Sequence, residues 1–197
     1  MDKLKEKILT EGKVLPGNIL KVDMFLNHQV DYQLLKEAGL EFYNFFKDCG
    51  VNKILTIEAS GIAVACAVAD AFKVPFVFAK KGSHSNVGSN VYTSEVFSYT
   101  KGKSYTLTVS KDYINKDDRI LIVDDFLANG EAVLGLKRII DEAGGELCGV
   151  GIIIEKRFQN GYKKLVDAGI KLKSLAVIES MNDGNIVFGC LTVGIQI

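Results

Sequence analysis

Two adjacent carboxylates stand between an apolar run and a small-residue turn. Ile120-Leu121-Ile122-Val123 leads into Asp124-Asp125, and then into Phe126-Leu127-Ala128-Asn129-Gly130-Glu131-Ala132. Carboxylates placed side by side repel one another and are costly to keep ionised. A ligand with two neighbouring hydroxyls would satisfy them by donating a hydrogen bond to each. The residues that follow predict the start of a helix, whose first turn carries N–H groups without internal partners and the positive end of the dipole. Ala128, Asn129 and Gly130 are small or turn-tolerant, so the backbone can wrap around an anion there. Phosphate plus vicinal diol describes a ribose 5-phosphate. An ordinary strand ending in two acids before a capped helix reads the same way, and the residues alone divide evenly between the two.

These groups need a frame to hold them. Leu4 and Ile8 stand four apart in a short N-terminal helix, and residues 12–26, with Pro16 and Gly17, read as an irregular entry. Asp31–Asp48 is expected to be helical, with Asp31 as N-cap and Gly50 beyond its end. The chain then alternates. Strands are expected at Lys53–Ile57, Pro75–Ala79, Arg119–Val123, Leu147–Glu155 and Leu175–Ile178, and helices at Gly61–Phe72, Glu131–Ala143 and Gly161–Ala168. Continuous apolar strands require a sheet covered on both faces, and strand–helix alternation implies a mostly parallel sheet. The expected class is therefore α/β, in one domain over residues 1–197. The polar stretch Gly82–Asn90 breaks the rhythm, and Glu95–Tyr99 and Ser104–Val109 follow as a β-hairpin around Thr100-Lys101-Gly102-Lys103. Such an excursion, over about 82–109, reads as a lid.

Composition narrows the function classes. Among 197 residues, 24 basic side chains balance 24 acidic ones, which argues against a dedicated nucleic-acid binder. Cys49, Cys66, Cys148 and Cys190 form no C-x-x-C pair and there are two histidines, His28 and His84, so neither a zinc site nor a disulfide framework is expected. The N-terminus has no apolar core of a signal peptide, and the longest apolar stretch, Ile62–Ala69, is too short to span a bilayer. A cytoplasmic location without membrane partners is the expectation. Gly149-Val150-Gly151 resembles the start of a dinucleotide fingerprint, but Ile154 occupies the third glycine position and the pair lies within a strand.

The segment Ile120–Ala132 resembles the 5-phosphoribosyl 1-diphosphate (PRPP) signature of type I phosphoribosyltransferases: four apolar residues, two acids and a small-residue loop opening a helix. Further similar stretches are Leu20–Gln29, Thr56–Ala63, Val77–Lys81 and Ile154–Gln159, so the resemblance covers nearly the whole chain. It implies the family's fold, with a small hood from about residues 1–30 and the C-terminal segment. It implies that Ala128, Asn129, Gly130, Glu131 and Ala132 take the 5-phosphate, and that Asp124 and Asp125 hold the ribose hydroxyls. Glu58, Ala59, Ser60 and Gly61, again between strand and helix, match the pyrophosphate loop, and Lys81 matches a cation near it. Leu20, Asn27 and Lys156 match base-contacting positions. Lys156 supplies a charged donor, Asn27 donates or accepts, and Leu20 offers a backbone group and an apolar wall, which suits the two carbonyls of xanthine. Phe158 is a candidate cover for the ring. Mg2+ is implied with PRPP, held mainly by its oxygens and not by dedicated protein ligands, and a homodimer is implied as the assembly.

Two departures stand out. Many family members carry Thr in the middle and at the end of the phosphate loop, where this chain has Asn129 and Ala132, so amides must carry more of the contact. The lid, with His84, differs most. The implied activity is conversion of xanthine and PRPP to xanthosine 5'-monophosphate (XMP) and pyrophosphate. The alternatives are a transferase for guanine or hypoxanthine, and a PRPP-sensing regulator without catalysis. The sensor would carry a DNA-binding domain ahead of the sheet, where this sequence has about fifty residues without basic bias.

Overall fold

The apolar run at Ile120–Val123 is buried from both sides. Ile120 and Ile122 pack with Val133, Leu136, Ile139 and Ile140, whereas Leu121 and Val123 pack with Phe42, Phe46, Val64 and Val68. A strand sends alternate residues to opposite faces, so only a sheet with helices on both faces needs apolar residues in unbroken succession. The computed structural model describes residues 1–82, 90–98, 102–182 and 185–189.

In chain order the elements are α1 (Asp2–Glu11), a ribbon of β1 (Lys13–Leu15) and β2 (Ile19–Lys21), a π-helical turn at Asp23–Asn27, α2 (Tyr32–Phe46), a 3-10 turn at Lys47–Cys49, β3 (Lys53–Ile57), α3 (Ser60–Phe72) and β4 (Phe76–Lys81). There follow β5 (Val91–Ser98), β6 (Lys103–Ser110), β7 (Arg119–Leu127), α4 (Glu131–Ala143), β8 (Glu146–Lys156), α5 (Gly161–Asp167), β9 (Leu172–Asn182) and β10 (Asn185–Phe188). Eight strands form one sheet in the order β10-β9-β8-β7-β3-β4-β6-β5. Neighbours from β9 to β4 are parallel. β10 is antiparallel to β9, and β6 is antiparallel to both β4 and β5. The expected α/β class and mostly parallel sheet are what is found.

Details differ from expectation where the sequence signal is local or weak. The entry segment contains the β1–β2 ribbon, whose three-residue strands are too short for a periodic pattern. Residues 91–98 start a strand four positions before the expected Glu95, and the hairpin joins the main sheet through Lys80↔Thr108 and Lys81↔Leu107. Val96, Leu107 and Val109 are buried with α4, so this part of the excursion belongs to the core and not to a detached lid. Most of the polar stretch, including His84, and the hairpin turn at Thr100-Lys101 lie outside the described residues. β9 is longer than Leu175–Ile178 and is returned on itself by β10.

The Gly149-Val150-Gly151 pair has a packing reason. A Cβ on Gly149 would collide with Phe46, and one on Gly151 would come within 3.0 Å of the Phe42 ring. The two glycines let α2 lie its aromatics directly on β8.

Candidate active site

β3 and β7 are parallel neighbours near the middle of the sheet. After β3 the chain crosses one face through α3 to β4, and after β7 it crosses the opposite face through α4 to β8. The loops beyond these two strands therefore diverge and leave a crevice at their carboxyl ends. This is the switch point at which open α/β sheets take ligands.

Both helices that begin at the crevice lack a side-chain cap. Ala59 precedes α3 and Gly130, at φ 81°, precedes α4, and neither makes a side-chain cap hydrogen bond. Neither side chain has an oxygen to offer. By contrast, α2 is capped by Asp31, whose carboxylate accepts from the Leu34 amide at 3.1 Å. The first-turn amides of α3 and α4 are thus left for an anion. Gly61, in the first turn of α3, is wedged against the acids: a Cβ there would overlap the Thr56 hydroxyl and come within 2.9 Å of Asp124 Oδ1. The Thr56 hydroxyl is buried and has no partner among the described residues.

Asp124 and Asp125 sit within β7, which runs on to Leu127 and does not end at Val123. Asp124 Oδ1 accepts from the Asp125 amide at 3.0 Å, and the two carboxyl groups are hydrogen-bonded to each other. Burial, then the charge and hydrogen bond of Asp125, push the Asp124 carboxyl well above the usual carboxylate range. The folded pair therefore holds its proton to higher pH than an isolated aspartate would. Because the folded form binds this proton more tightly than the unfolded chain, its stabilisation is complete at acid pH and is lost as pH rises through the raised value. Asp124→Asn should accordingly raise the melting temperature at neutral pH by about 2–4 °C, with the difference vanishing near pH 3. A scanning-calorimetry series over pH checks this, and an equal shift at both ends would contradict it.

Lys81, at the end of β4, donates its backbone amide to Glu58 Oε1 at 2.7 Å, tying the β3 loop to the next strand. Its charge acts favourably on ionised Asp124. Tyr105, on β6, faces the same group: burial and the Asp124 charge both raise its phenol above the usual value. Tyr105, Val96, Phe126 and the loop Ala128–Ala132 line a cleft of ≈ 130 Å³. A larger hollow of ≈ 390 Å³ lies at the β4–β6 edge, lined by Phe76, Phe78, Val109 and Tyr113. Of these two, only the smaller is lined by an uncapped helix start, that of α4, so anion chemistry favours the smaller cleft.

The base-contacting candidates come from opposite ends of the chain. Lys156, the last residue of β8, donates from Nζ to the Asn18 carbonyl at 2.9 Å and stands 5.3 Å from the Phe126 ring centroid. Burial lowers its affinity for the proton below that of an ordinary lysine. Its neighbour Glu155 is 1% exposed and is held by Arg157 and by Ser174 Oγ at 2.5 Å, which fixes the strand end that carries Lys156. Asn18 is two residues from Leu20 in the β1–β2 ribbon. Leu20 itself is 5% exposed and packs in the core, so its side chain offers a base little open wall. Asn27 is exposed at the end of the π-helical turn. Phe158 is also exposed and is not core. Asn18 and Tyr105 carry no signal of their own in the sequence, because each enters the site only through a partner distant along the chain.

Cys49, Cys66 and Cys148 are free thiols, and Cys190 lies outside the described residues. Among the described residues, no group of three or more His, Cys, Asp or Glu side chains is clustered to hold a metal ion. No described helix is long and apolar enough to cross a membrane.

The model of the phosphoribosyl transferase domain matches residues 33–191. A xanthine phosphoribosyltransferase of Clostridium novyi (strain NT) is 55% identical over 188 residues, which is 95% of this chain and 99% of the relative. One of Clostridium tetani (strain Massachusetts / E88) is 56% identical over 189 residues, 95% of this chain and all of the relative (100%). Among solved structures, adenine phosphoribosyltransferase from Rhodothermus marinus DSM 4252 superposes with a TM-score of 0.72 at 23% identity, over 90% of this chain and 99% of that one. The Saccharomyces cerevisiae enzyme, complexed with an imino-altritol bisphosphate and adenine, gives 0.71 at 19% identity, over 89% and 99%. At such identities the structural likeness speaks for the fold.

Proposed function

The chain belongs to the phosphoribosyltransferase family, and we propose that it is a purine-salvage enzyme converting xanthine and PRPP to XMP and pyrophosphate. The observation that carries this is the pair of uncapped helix N-termini flanking an acid pair at the switch point. Two anion seats with carboxylates between them suit a sugar phosphorylated at both ends. The close relatives named for xanthine supply the base.

The α4 N-terminus, with Ala128, Asn129, Gly130, Glu131 and Ala132, takes the 5-phosphate through backbone amides. The α3 N-terminus, with Glu58, Ala59, Ser60 and Gly61, takes the pyrophosphate beside Lys81. Asp124 and Asp125 accept hydrogen bonds from the ribose hydroxyls. As the bond from the anomeric carbon to pyrophosphate breaks, positive charge builds on the ribose and negative charge on the leaving group. The carboxylates lie on the side of the first, the amides and Lys81 on the side of the second. Holding the purine nitrogen in line with the anomeric carbon supplies the rest. Lys156, Asn27 and the Leu20 backbone orient the base; its N–H is fairly acidic and gives up its proton as the new bond forms, and we assign no side chain as a strong general base. Mg2+ fits this donor set as an ion held mainly by the PRPP oxygens, because two adjacent carboxyl groups at the sugar would be relieved by a cation nearby. Bound with PRPP, such an ion would supply positive charge against the departing pyrophosphate.

A homodimer in the cytoplasm is the assembly and compartment we propose, on the resemblance to the family. Initial rates of nucleotide formation from PRPP across xanthine, guanine, hypoxanthine, adenine and orotate test the substrate. Xanthine should lead in kcat/KM by at least about tenfold, since a base lacking one carbonyl forfeits a hydrogen bond to a charged donor. Preference for adenine or orotate would overturn the base assignment while leaving the PRPP site standing.

A further inference from the structure

The phosphate loop contains a residue that works against its task. Glu131 is the first residue of α4, so its carboxylate sits at the helix end where the 5-phosphate is read to bind. A second anion at that position competes with phosphate for the dipole and the free amides. The structure provides an answer on α5. Lys164 forms an ion pair with Glu131, with both side chains largely withdrawn from solvent.

The helix that carries Lys164 is fitted to the loop at two further points. The Gly161 amide donates to the Ala128 carbonyl at 2.9 Å. Gly130 and Gly161 approach so closely that a Cβ on Gly130 would lie 3.2 Å from Gly161 Cα, and a Cβ on Gly161 would overlap the Ala128 carbonyl oxygen. Leu165, fully buried, anchors α5 in the core beneath the sheet. The loop's own hydroxyl side chains are few, since Asn129 and Ala132 stand where Thr is common, so the shape and charge of its backbone matter more.

We propose that Lys164 is a positioning residue for the 5-phosphate: it neutralises and draws aside Glu131, so that the α4 N-terminus is left to the phosphate dianion. The inference rests on the PRPP reading of the loop. Lys164 acts through Glu131 and touches neither the base nor the reacting carbon. Its loss should therefore act on PRPP and not on the purine.

The test is steady-state kinetics of Lys164→Ala, Lys164→Arg and the double variant Glu131→Gln/Lys164→Ala, with melting temperatures and calorimetric titration of ribose 5-phosphate alongside. Lys164→Ala should raise KM for PRPP and Kd for ribose 5-phosphate about tenfold, with KM for xanthine changed less than about twofold, as expected of a charge near a helix-bound anion. Lys164→Arg should remain within about threefold of the wild type, because it keeps the charge. The double variant should recover most of the loss, because the amide no longer competes. Equal ribose 5-phosphate affinity in the wild type and Lys164→Ala, or a double variant as impaired as the single one, would overturn the proposal. A wild type that binds no ribose 5-phosphate at all would instead overturn the reading of the loop on which it rests.

Discussion

Asp125→Asn should lower kcat for XMP formation by about 10²–10³-fold while the protein stays folded. Asp125 is 7% exposed and lies beside Asp124 on β7, and in the proposed site its carboxyl group is one of the two that face the ribose. An amide has nearly the same shape and still accepts one hydrogen bond from a ribose hydroxyl. What it removes is the charge facing the ribose as the anomeric carbon turns positive. The effect should therefore fall on turnover, with KM for PRPP moving less. The fold should not suffer, since the substitution relieves the repulsion inside the pair. Circular dichroism and a melting curve at least equal to the wild type, with the rate reduced, is the expected combination. Full retention of turnover would remove Asp125 from the ribose site.

Lys156→Ala should raise KM for xanthine by about 10–100-fold and leave KM for PRPP within about twofold, as fits loss of one hydrogen bond from a charged, half-buried donor. The variant also cuts the tie between β8 and the Asn18 carbonyl, and with it the hold on the β1–β2 ribbon. Lys156→Arg separates the two consequences. It retains a cation but not the single-point geometry, so it should keep the ribbon docked and still lose several-fold in xanthine affinity. Equal effects on both substrates would remove Lys156 from the base pocket.

The parts of the fold legible in the sequence are those whose signal is contained in one stretch. β7 and α4 can be read from ILIV and from the amphipathic run closed by Gly144-Gly145, because burial on two faces and helix termination are local demands. Asp31 can be named as a cap for the same reason, and it is one. The β1–β2 ribbon and the β9–β10 return are not legible, since pairing of three- and four-residue segments is decided by what they pack against. Gly149 and Gly151 show the converse. Their spacing mimics a nucleotide loop, and only the Phe42 and Phe46 rings, about a hundred residues earlier, explain them.

The candidate site divides along the same line. Asp124, Asp125 and the residues from Ala128 to Ala132 lie in one segment, and their types and spacing alone suggest a phosphorylated sugar. Lys164, Tyr105 and Asn18 carry no such local signal. Lys163 meets Asp167 at the i,i+4 spacing that a helix makes legible, but nothing in the run Lys163-Lys164 hints that Lys164 faces Glu131, 33 residues earlier. Such pairings are set by how α5 packs on the α4 loop, which no local pattern encodes.

The most direct single measurement is product analysis after incubation of the protein with xanthine, PRPP and Mg2+. XMP and pyrophosphate should appear in equal amounts and in proportion to enzyme. PRPP binding without XMP from xanthine or nucleotide from any other purine would contradict catalysis at the acid pair, and would leave a chain that senses PRPP instead of consuming it.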